Sequence, residues 1–198
     1  MSNPTRAAVY RGPGRLDVTE VDLPALGPTD LLVEVAFCGV CGTDLHNVLD
    51  GWGVPDSVGG HEWSGRVVKA GDDAPTGVGT LVVGSGRRPC GECTSCRAGR
   101  SGLCRQRGAV GTEKSFGAFA NHLVVDAAET LPVPDGVDAR SAAYVEPLAV
   151  ALHALTLGAP QPDERVLVSG CGPIGAAAVA VLLAGGHADL MVVEPADL

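Results

Sequence analysis

The strongest constraint on the fold is the segment PCGECTSCRAGRSGLC, residues 89–104, which contains four cysteines. Their spacing, C-x2-C-x2-C-x7-C, allows one short loop to arrange four thiolates around a single tetrahedral ion, as in structural zinc sites. Two disulfides or an iron–sulfur cluster are the alternatives, although ferredoxin spacings differ from this one. The sequence therefore predicts a closed Zn(Cys)4 site formed by Cys90, Cys93, Cys96 and Cys104.

Length and composition are those of a globular protein with many turns and short strands. The chain has 198 residues, of which 45% are hydrophobic and 19% charged, with 28 glycines and 14 prolines. A formal net charge of −9 offers no basic surface, so no nucleic-acid partner is expected. No apolar run approaches the roughly 18 residues of a membrane span, and the first residues do not resemble a secretory signal. We therefore expect a cytoplasmic protein without membrane contact, in which seven cysteines favour metal binding or catalysis over disulfides.

Short apolar runs separated by glycine, proline and aspartate extend to about residue 150. They indicate strands of a twisted sheet or partly open barrel, namely RAAVY, DLLVEVAF, SGRVVKAG, GTLVVG and GAFANHLVV. The pattern then changes to EPLAVALHALTLG, which predicts a helix with proline in its first turn and Gly158 as its C-terminal stop. We therefore expect one domain over residues 1–150 and a second over 151–198.

The second domain begins with a predicted βαβ unit. RVLVSG and ADLMVVEP have the pattern of buried strands, and CGPIGAAAVAVLLAGG between them has that of a helix. Gly170, Gly172 and Gly175 form G-x-G-x-x-G at the first strand-to-helix turn, which is typical of dinucleotide binding, although a turn used only for packing is the alternative. Glu194 follows about 20 residues later, where a carboxylate bonds the ribose 2′-hydroxyl and repels a 2′-phosphate, so NAD is favoured over NADP.

Cys41, His61 and a carboxylate are candidates for a second zinc site, an open one with three protein ligands. By spacing alone, such a cysteine and histidine are more often core or surface residues. Cys38 and Cys41 also form C-x-x-C, a redox motif when it opens a helix after a strand, but a packed thiol is favoured for Cys38.

Five motifs in order resemble those of zinc-dependent medium-chain alcohol and polyol dehydrogenases: CGVCGTDLH, GGHEWSG, the four-cysteine segment, VEPLAVALHA and VLVSGCGPIG. The EPLAVA form is similar to the sorbitol, threonine and aminocyclitol dehydrogenase branches. The resemblance implies a mixed β and α/β fold: a GroES-like, partly open β-barrel domain, then the first βαβ unit of a doubly wound Rossmann sheet, truncated relative to the family. It also implies NAD and two Zn²⁺ per chain, one catalytic and one structural.

The same resemblance assigns the ligands of the catalytic zinc. Cys41 and His61 would bind the ion, and either Glu62 or Glu146 would be the remaining protein ligand. Asp44 would orient the His61 imidazole from outside the ligand shell. Such a zinc would polarise an alcohol oxygen.

The remaining site residues concern the proton and the cofactor. Thr43 would accept the substrate proton and pass it to His46 as the relay to solvent. Trp52 and Trp63 flank the ligands and could be pocket wall or core, with core favoured. The cofactor-binding residues would be Gly170, Gly172, Pro173, Ile174, Gly175 and Glu194.

The leading hypothesis is an oxidoreductase that transfers hydride from a secondary alcohol, of the polyol, cyclitol or amino-alcohol class, to NAD. A homo-oligomer, dimer or tetramer, is expected where the full cofactor domain is present. The alternative is a non-catalytic, truncated zinc-binding module that associates with a partner chain. A zinc-free quinone or enoyl reductase on the same scaffold is disfavoured because the metal ligands are present.

Overall fold

The computed structural model describes residues 4–84, 90–106 and 116–195. These residues belong to two compact units, divided between Ala143 and Tyr144. The division lies a few residues before the predicted boundary at residue 150, because the helix that begins at Val145 packs within the second unit.

The first unit consists mainly of antiparallel strands. Its elements in chain order are β1 (Pro4–Gly12), β2 (Arg15–Asp22), β3 (Asp30–Gly39), α1 (Gly42–Leu49), β4 (Glu62–Ala70), β5 (Leu81–Gly84), α2 (Thr94–Arg97), β6 (His122–Asp126), β7 (Thr130–Pro132) and α3 (Ala139–Ala142). Strands β1 and β2 pair as a two-stranded ribbon, and the others form a five-stranded sheet in the order β6-β3-β4-β5-β7. All of these neighbours are antiparallel.

The main core of the first unit is a buried cluster of residues from β3, β4, β5 and β6, and a smaller cluster forms around Val9 and Val58. Leu31 and Val33 of β3 and Val82 of β5 are fully buried, and Trp63 of β4 is 2% exposed. The prediction of a core position is therefore confirmed for Trp63 and wrong for Trp52, which is 68% exposed. Trp63 belongs to a buried sheet position, whereas Trp52 follows α1 in a loop.

The register between β3 and β4 brings together the candidate zinc ligands Cys41, His61 and Glu62. Cys38 pairs with Trp63, and Gly39 pairs with Glu62, so the end of β3 lies beside the start of β4. The chain turns from β3 directly into α1, whose first residue is Gly42. This pairing brings the 38–41 segment next to residues 61 and 62, which are distant in sequence.

The second unit contains the predicted βαβ arrangement. Its elements are α4 (Val145–Gly158), β8 (Val166–Ser169), α5 (Pro173–Ala184) and β9 (Leu190–Val193). Strands β8 and β9 are parallel, with α5 as the crossover between them. In the described part of the chain, no helix is long and apolar enough to cross a bilayer.

The end of α4 differs in detail from the prediction. Gly158 is the last helical residue, and it is Ala159 that takes the left-handed conformation, with φ of 44°. The N–H of Ala159 bonds to the carbonyl of Leu155 at 2.7 Å, which closes the helix. A residue with a Cβ therefore occupies a position that usually favours glycine.

Candidate metal centres and cofactor turn

The four cysteines of the 90–104 segment form one sulfur cluster. Their ligand atoms all lie within 4.8 Å of one another. Individual Sγ–Sγ distances are 3.5 Å for Cys93–Cys96, 3.6 Å for Cys90–Cys104 and 3.9 Å for Cys90–Cys96. A tetrahedron with Zn–S bonds of about 2.3 Å has edges of about 3.8 Å. The four sulfurs thus fit one zinc ion, and every cysteine of the chain is free of disulfides.

Backbone N–H groups tune the acidity of these thiols. The N–H of Cys90 donates to Sγ of Cys104 at 3.4 Å and lowers the pKa of Cys104 to about 6. Loss of hydration and the adjacent Cys93 thiol raise the pKa of Cys96 to about 12. Cys96 and Cys104 therefore differ in how readily they ionise, and a bound divalent cation favours the thiolate form of both.

A second cluster lies where β3, α1 and β4 converge. Cys41 is the N-cap residue of α1, while His61 and Glu62 stand at the start of β4. One ligand atom from each of these three residues lies within 4.8 Å of the others. His61 is 6% exposed, and its Nδ1 has no hydrogen-bond partner among the described residues. The thiol sulfur of Cys41, an imidazole nitrogen of His61 and a carboxylate oxygen of Glu62 are ligand atoms that zinc prefers.

The buried carboxylate of Asp44 connects the two chain segments of this cluster. It accepts the N–H of Cys41 at 3.0 Å and the N–H of Gly60 at 3.3 Å. Its Oδ1 also lies 3.7 Å from Nδ1 of His61, which is an ion-pair distance rather than a hydrogen bond. The Asp44 carboxylate raises the pKa of His61 to about 9, against the opposing effect of burial. Asp44 thus fixes the backbone beside both metal-ligand candidates.

The glycine before His61 is required by the packing. Gly60 has φ of +92°, and a Cβ there would lie 2.8 Å from the backbone nitrogen of Phe119 and 2.9 Å from Sγ of Cys38. Sequence reasoning did not assign Gly60 a role, although the GGH motif contained the signal. A side chain at position 60 would therefore strain the backbone and clash with it, and movement of neighbouring side chains could not remove either effect.

Cys38 is a packed thiol rather than half of a redox pair. Its side chain packs against the main core, and its thiol donates to the carbonyl of Gly39 at 3.5 Å. Burial and the nearby charge of Asp44 raise the pKa of Cys38 to about 12. The thiolate that redox exchange requires is therefore scarce at neutral pH.

The proton-path candidates lie on the exposed side of α1. Thr43 and His46 are both exposed and stand three residues apart, a separation that puts side chains on one helix face. His46 contacts Asp50 and Trp52, two residues that sequence reasoning did not connect with it. Glu146, the alternative zinc ligand, lies in the first turn of α4 in the second unit.

The glycine turn has backbone conformations and close contacts that favour glycine. Gly170 has φ of +92°, and a Cβ on Gly175 would approach the carbonyl oxygen of Gly170 to 2.0 Å. Gly172 is the N-cap of α5, and Pro173 and Ile174 begin its first turn, which has no acidic side chain. Glu194 follows β9, and its carboxylate accepts the N–H of Cys171 at 2.6 Å. The acid and the turn therefore lie together at the carboxyl end of the two parallel strands.

Comparison with known proteins identifies the first unit. Residues 27–135, over half of the chain, match the alcohol dehydrogenase GroES-like domain. The chain belongs to this family. The resemblance to zinc-dependent medium-chain dehydrogenases and the mixed fold of a GroES-like domain with part of a Rossmann domain are thereby confirmed.

Relatives of this GroES-like domain protein are longer than the chain itself. An L-threonine 3-dehydrogenase from Edwardsiella ictaluri is 38% identical over 187 residues, which cover 91% of this chain and 54% of the relative. A Sinorhizobium meliloti protein solved with NADP has 33% identity and a TM-score of 0.87, covering 96% of this chain and 56% of that one. An alcohol dehydrogenase from Escherichia coli CFT073 solved with NADH has 28% identity and a TM-score of 0.87, covering 100% of this chain and 58% of that one. The chain thus spans little more than half the length of these proteins.

Proposed function

We propose that the chain is the metal-binding and first cofactor-binding portion of a zinc-dependent, NAD-linked dehydrogenase. The observation that carries this proposal is the convergence of Cys41, His61 and Glu62 ligand atoms within 4.8 Å. Three protein ligands leave one coordination position for a substrate, which distinguishes a catalytic zinc from a structural one. Nδ1 of His61 faces the Asp44 carboxylate at 3.7 Å, which leaves Nε2 as the imidazole nitrogen that a metal would use.

The proposed catalytic zinc would be held by Cys41, His61 and a glutamate. Glu62 is favoured as the third ligand because it belongs to the cluster, and Glu146 is the alternative from the second unit. Zn²⁺ supplies, when bound, a Lewis acid that polarises an alcohol oxygen. Asp44 would keep Cys41 and His61 at a fixed separation through its two backbone hydrogen bonds.

The chain's own residues would then remove the hydroxyl proton. The Thr43 hydroxyl would accept the proton from the substrate and pass it on to His46. Because the His46 side chain is 55% exposed, its imidazole can exchange that proton with water. Thr43 and His46 share one helix face, which keeps the path short.

The four-cysteine cluster would hold a second, structural zinc. Four sulfurs at tetrahedral separations leave no position for substrate. Helix α2 has only four residues, and none of them is buried. Among the described side chains of residues 90–106, only Cys104 is buried, so a metal would take the place of an apolar core in this segment, giving two zinc ions per chain.

The proposed cofactor is NAD, bound at the Gly170–Gly175 turn. No side chain caps the N-terminus of α5 among the described residues, so backbone N–H groups of its first turn would bind the pyrophosphate. Relatives have been solved with NADP and with NADH, so the choice must come from local residues. Glu194 supports NAD because a carboxylate bonds a ribose 2′-hydroxyl but repels a 2′-phosphate.

The proposed substrate is a secondary alcohol of the amino-alcohol, polyol or cyclitol class. L-threonine, on which the relatives' name indicates that they act, carries a secondary hydroxyl beside an amino group. An amino-alcohol is therefore the first substrate to assay, followed by linear and cyclic polyols. A cytoplasmic location and a dimer or tetramer remain predictions.

Metal analysis with single variants tests this proposal. The purified protein should contain two zinc ions per chain, while Cys41→Ala and Cys93→Ala should each retain one. Glu62→Gln and Glu146→Gln should differ in zinc content, and the variant that loses metal identifies the third ligand. Retention of both ions by Cys41→Ala would contradict the catalytic site, and absence of zinc from wild type would contradict both sites.

The second candidate is a non-catalytic zinc-binding module that associates with a partner chain. Apolar side chains on β8 and β9 are exposed, among them Leu167 at 60% and Met191 at 53%, and either a partner chain or further residues of a longer chain would cover them. A titration of NADH fluorescence separates the two candidates. Saturable binding that Glu194→Ala weakens supports the dehydrogenase, whereas no saturable binding supports the module.

A further inference from the structure

The imidazole of His46 is held by two residues that have no role in the mechanism described above. Its Nδ1 lies 2.7 Å from Oδ2 of Asp50, the residue four positions later. Its ring stacks on Trp52, with 4.8 Å between the ring centroids and 18° between the ring planes. The backbone N–H of Asp50 bonds to the carbonyl of His46 at 3.1 Å, so the carboxylate is anchored to the same helical turn.

The contact with Asp50 determines which imidazole nitrogen carries hydrogen. A carboxylate only accepts hydrogen bonds, so Nδ1 of His46 must be the donor in this pair. In the neutral ring the lone pair then belongs to Nε2. The nitrogen that can take up a proton is therefore Nε2, on the opposite side of the ring from Asp50.

The contact with Trp52 constrains the plane of the same ring. Stacking covers one imidazole face, while the Asp50 carboxylate holds one edge, so rotation of the ring would break both contacts. Trp52 is 68% exposed, and core packing therefore does not explain its position. An exposed i,i+4 ion pair also contributes little to stability, so a structural role does not account for Asp50.

We propose that Asp50 and Trp52 are positioning residues, which hold His46 as the Nδ1–H tautomer with Nε2 free. The proposal rests on the proposed function in one respect, namely that His46 receives the proton that leaves through Thr43. Asp50 selects the tautomer, and Trp52 fixes the direction in which Nε2 points. Neither residue needs to touch the substrate.

Nitrogen NMR of histidine-labelled protein tests the tautomer without any enzymatic assay. The signals absent from His46→Asn identify His46 among the five histidines. At a pH where the ring is neutral, wild type should show the Nδ1–H pattern for this residue. Asp50→Ala should shift it towards the Nε2–H pattern, and Asp50→Asn should restore it because the amide oxygen still accepts. Asp72→Ala, which removes an exposed carboxylate elsewhere in the first unit, is the matched control.

Two spectroscopic results would overturn the proposal. One is an Nε2–H pattern for His46 in wild type. The other is an unchanged Nδ1–H pattern in Asp50→Ala, which would show that the carboxylate does not select the tautomer.

Kinetics test the positioning role in the active enzyme. Asp50→Ala should lower kcat for alcohol oxidation by about 10- to 100-fold, part of the ~10²–10⁴-fold that a positioned proton-transfer group supplies. The KM for NAD should stay unchanged, and Asp50→Asn should recover most of kcat. Trp52→Leu should lower kcat while keeping the Nδ1–H tautomer, and Leu49→Ala, which removes another exposed apolar side chain nearby, should not.

The outcomes separate this inference from the proposed function. A wild-type protein that neither binds NADH nor oxidises an alcohol contradicts the proposed function, and the NMR result still decides the role of Asp50. An active wild type whose kcat is unaffected by Asp50→Ala contradicts the positioning role alone.

Discussion

Replacing Asp44 with asparagine should change how the stability of the first unit depends on pH. The Asp44 carboxylate raises the pKa of His61 from 6.5 to about 9 when no metal is bound. A histidine whose pKa is raised by folding stabilises the fold fully below its unfolded pKa, and this contribution is lost as pH rises through the folded pKa. A Cys41→Ala protein, in which His61 holds no metal, should therefore lose stability between pH 6.5 and about 9, and the same protein with Asp44→Asn should not.

The magnitude follows from the pKa shift and from the hydrogen bonds. At about 1.4 kcal/mol per pKa unit, the shift corresponds to at most about 3.5 kcal/mol. We expect about 2 kcal/mol, because the contact of 3.7 Å between Oδ1 and Nδ1 is longer than a hydrogen bond. Asparagine can accept only through one oxygen, so one of the two backbone N–H groups loses its partner. That loss costs about 1–3 kcal/mol at every pH.

Urea unfolding from pH 5.5 to 9.5 measures both effects, with Trp63 fluorescence as the signal for the core. A Cys41→Ala background keeps the His61 site free of metal while leaving zinc in the four-cysteine lobe. The free energies of unfolding of Cys41→Ala and of Cys41→Ala with Asp44→Asn should differ most at low pH and converge towards high pH. Parallel curves would refute the reasoning, as would an equal loss in Asp72→Asn.

Three further variants test packing and metal binding. Gly60→Ala should destabilise the first unit by about 2–4 kcal/mol through backbone strain and steric overlap. The control Gly77→Ala, whose added Cβ would have no atom within 4 Å, should leave the urea midpoint unchanged. Equal urea midpoints for the two variants would contradict this prediction. Gly158→Ala combined with Ala159→Gly should stabilise the second unit by about 2 kcal/mol, and a lower melting temperature would refute it. Cys104→Ser should lose one zinc per chain and expose the lobe to trypsin, and unchanged metal content would show that this sulfur is not a ligand.

Strands with strong apolar patterns could be predicted from the sequence, and weakly patterned ones could not. The runs that became β3, β4 and β8 alternate or cluster apolar residues, and the structure has strands there. Strand β2 (RLDVTEVD) and the three-residue strand β7 were not predicted, since β2 has no buried residue and β7 buries only Thr130. Their conformation depends on pairing with β1 and β5, which is a non-local interaction.

The candidate sites also differ in how far local sequence patterns could predict them. The four cysteines lie within fifteen positions, so local spacing was sufficient to predict their cluster. Cys41 and His61 come together through the register of β3 and β4, which no spacing rule contains. Their selection therefore depended on a family resemblance. The contacts of Asp44 with Gly60, and of His46 with Trp52, required the structure.

The two proposed metal centres would be built on opposite physical principles. Cys41, His61 and Glu62 lie at sheet ends whose geometry is set by β-pairing and by the buried Asp44, so the fold itself would position these candidate ligands. In the described part of the four-cysteine segment, residues 90–106, the α-helix has four residues and none of them is buried, so a bound ion would supply much of its order. Removing metal should thus unfold the lobe locally while leaving the sheet intact, because stability within one domain is not uniform. A rigid open site and a metal-dependent closed one can therefore coexist in the same small β domain.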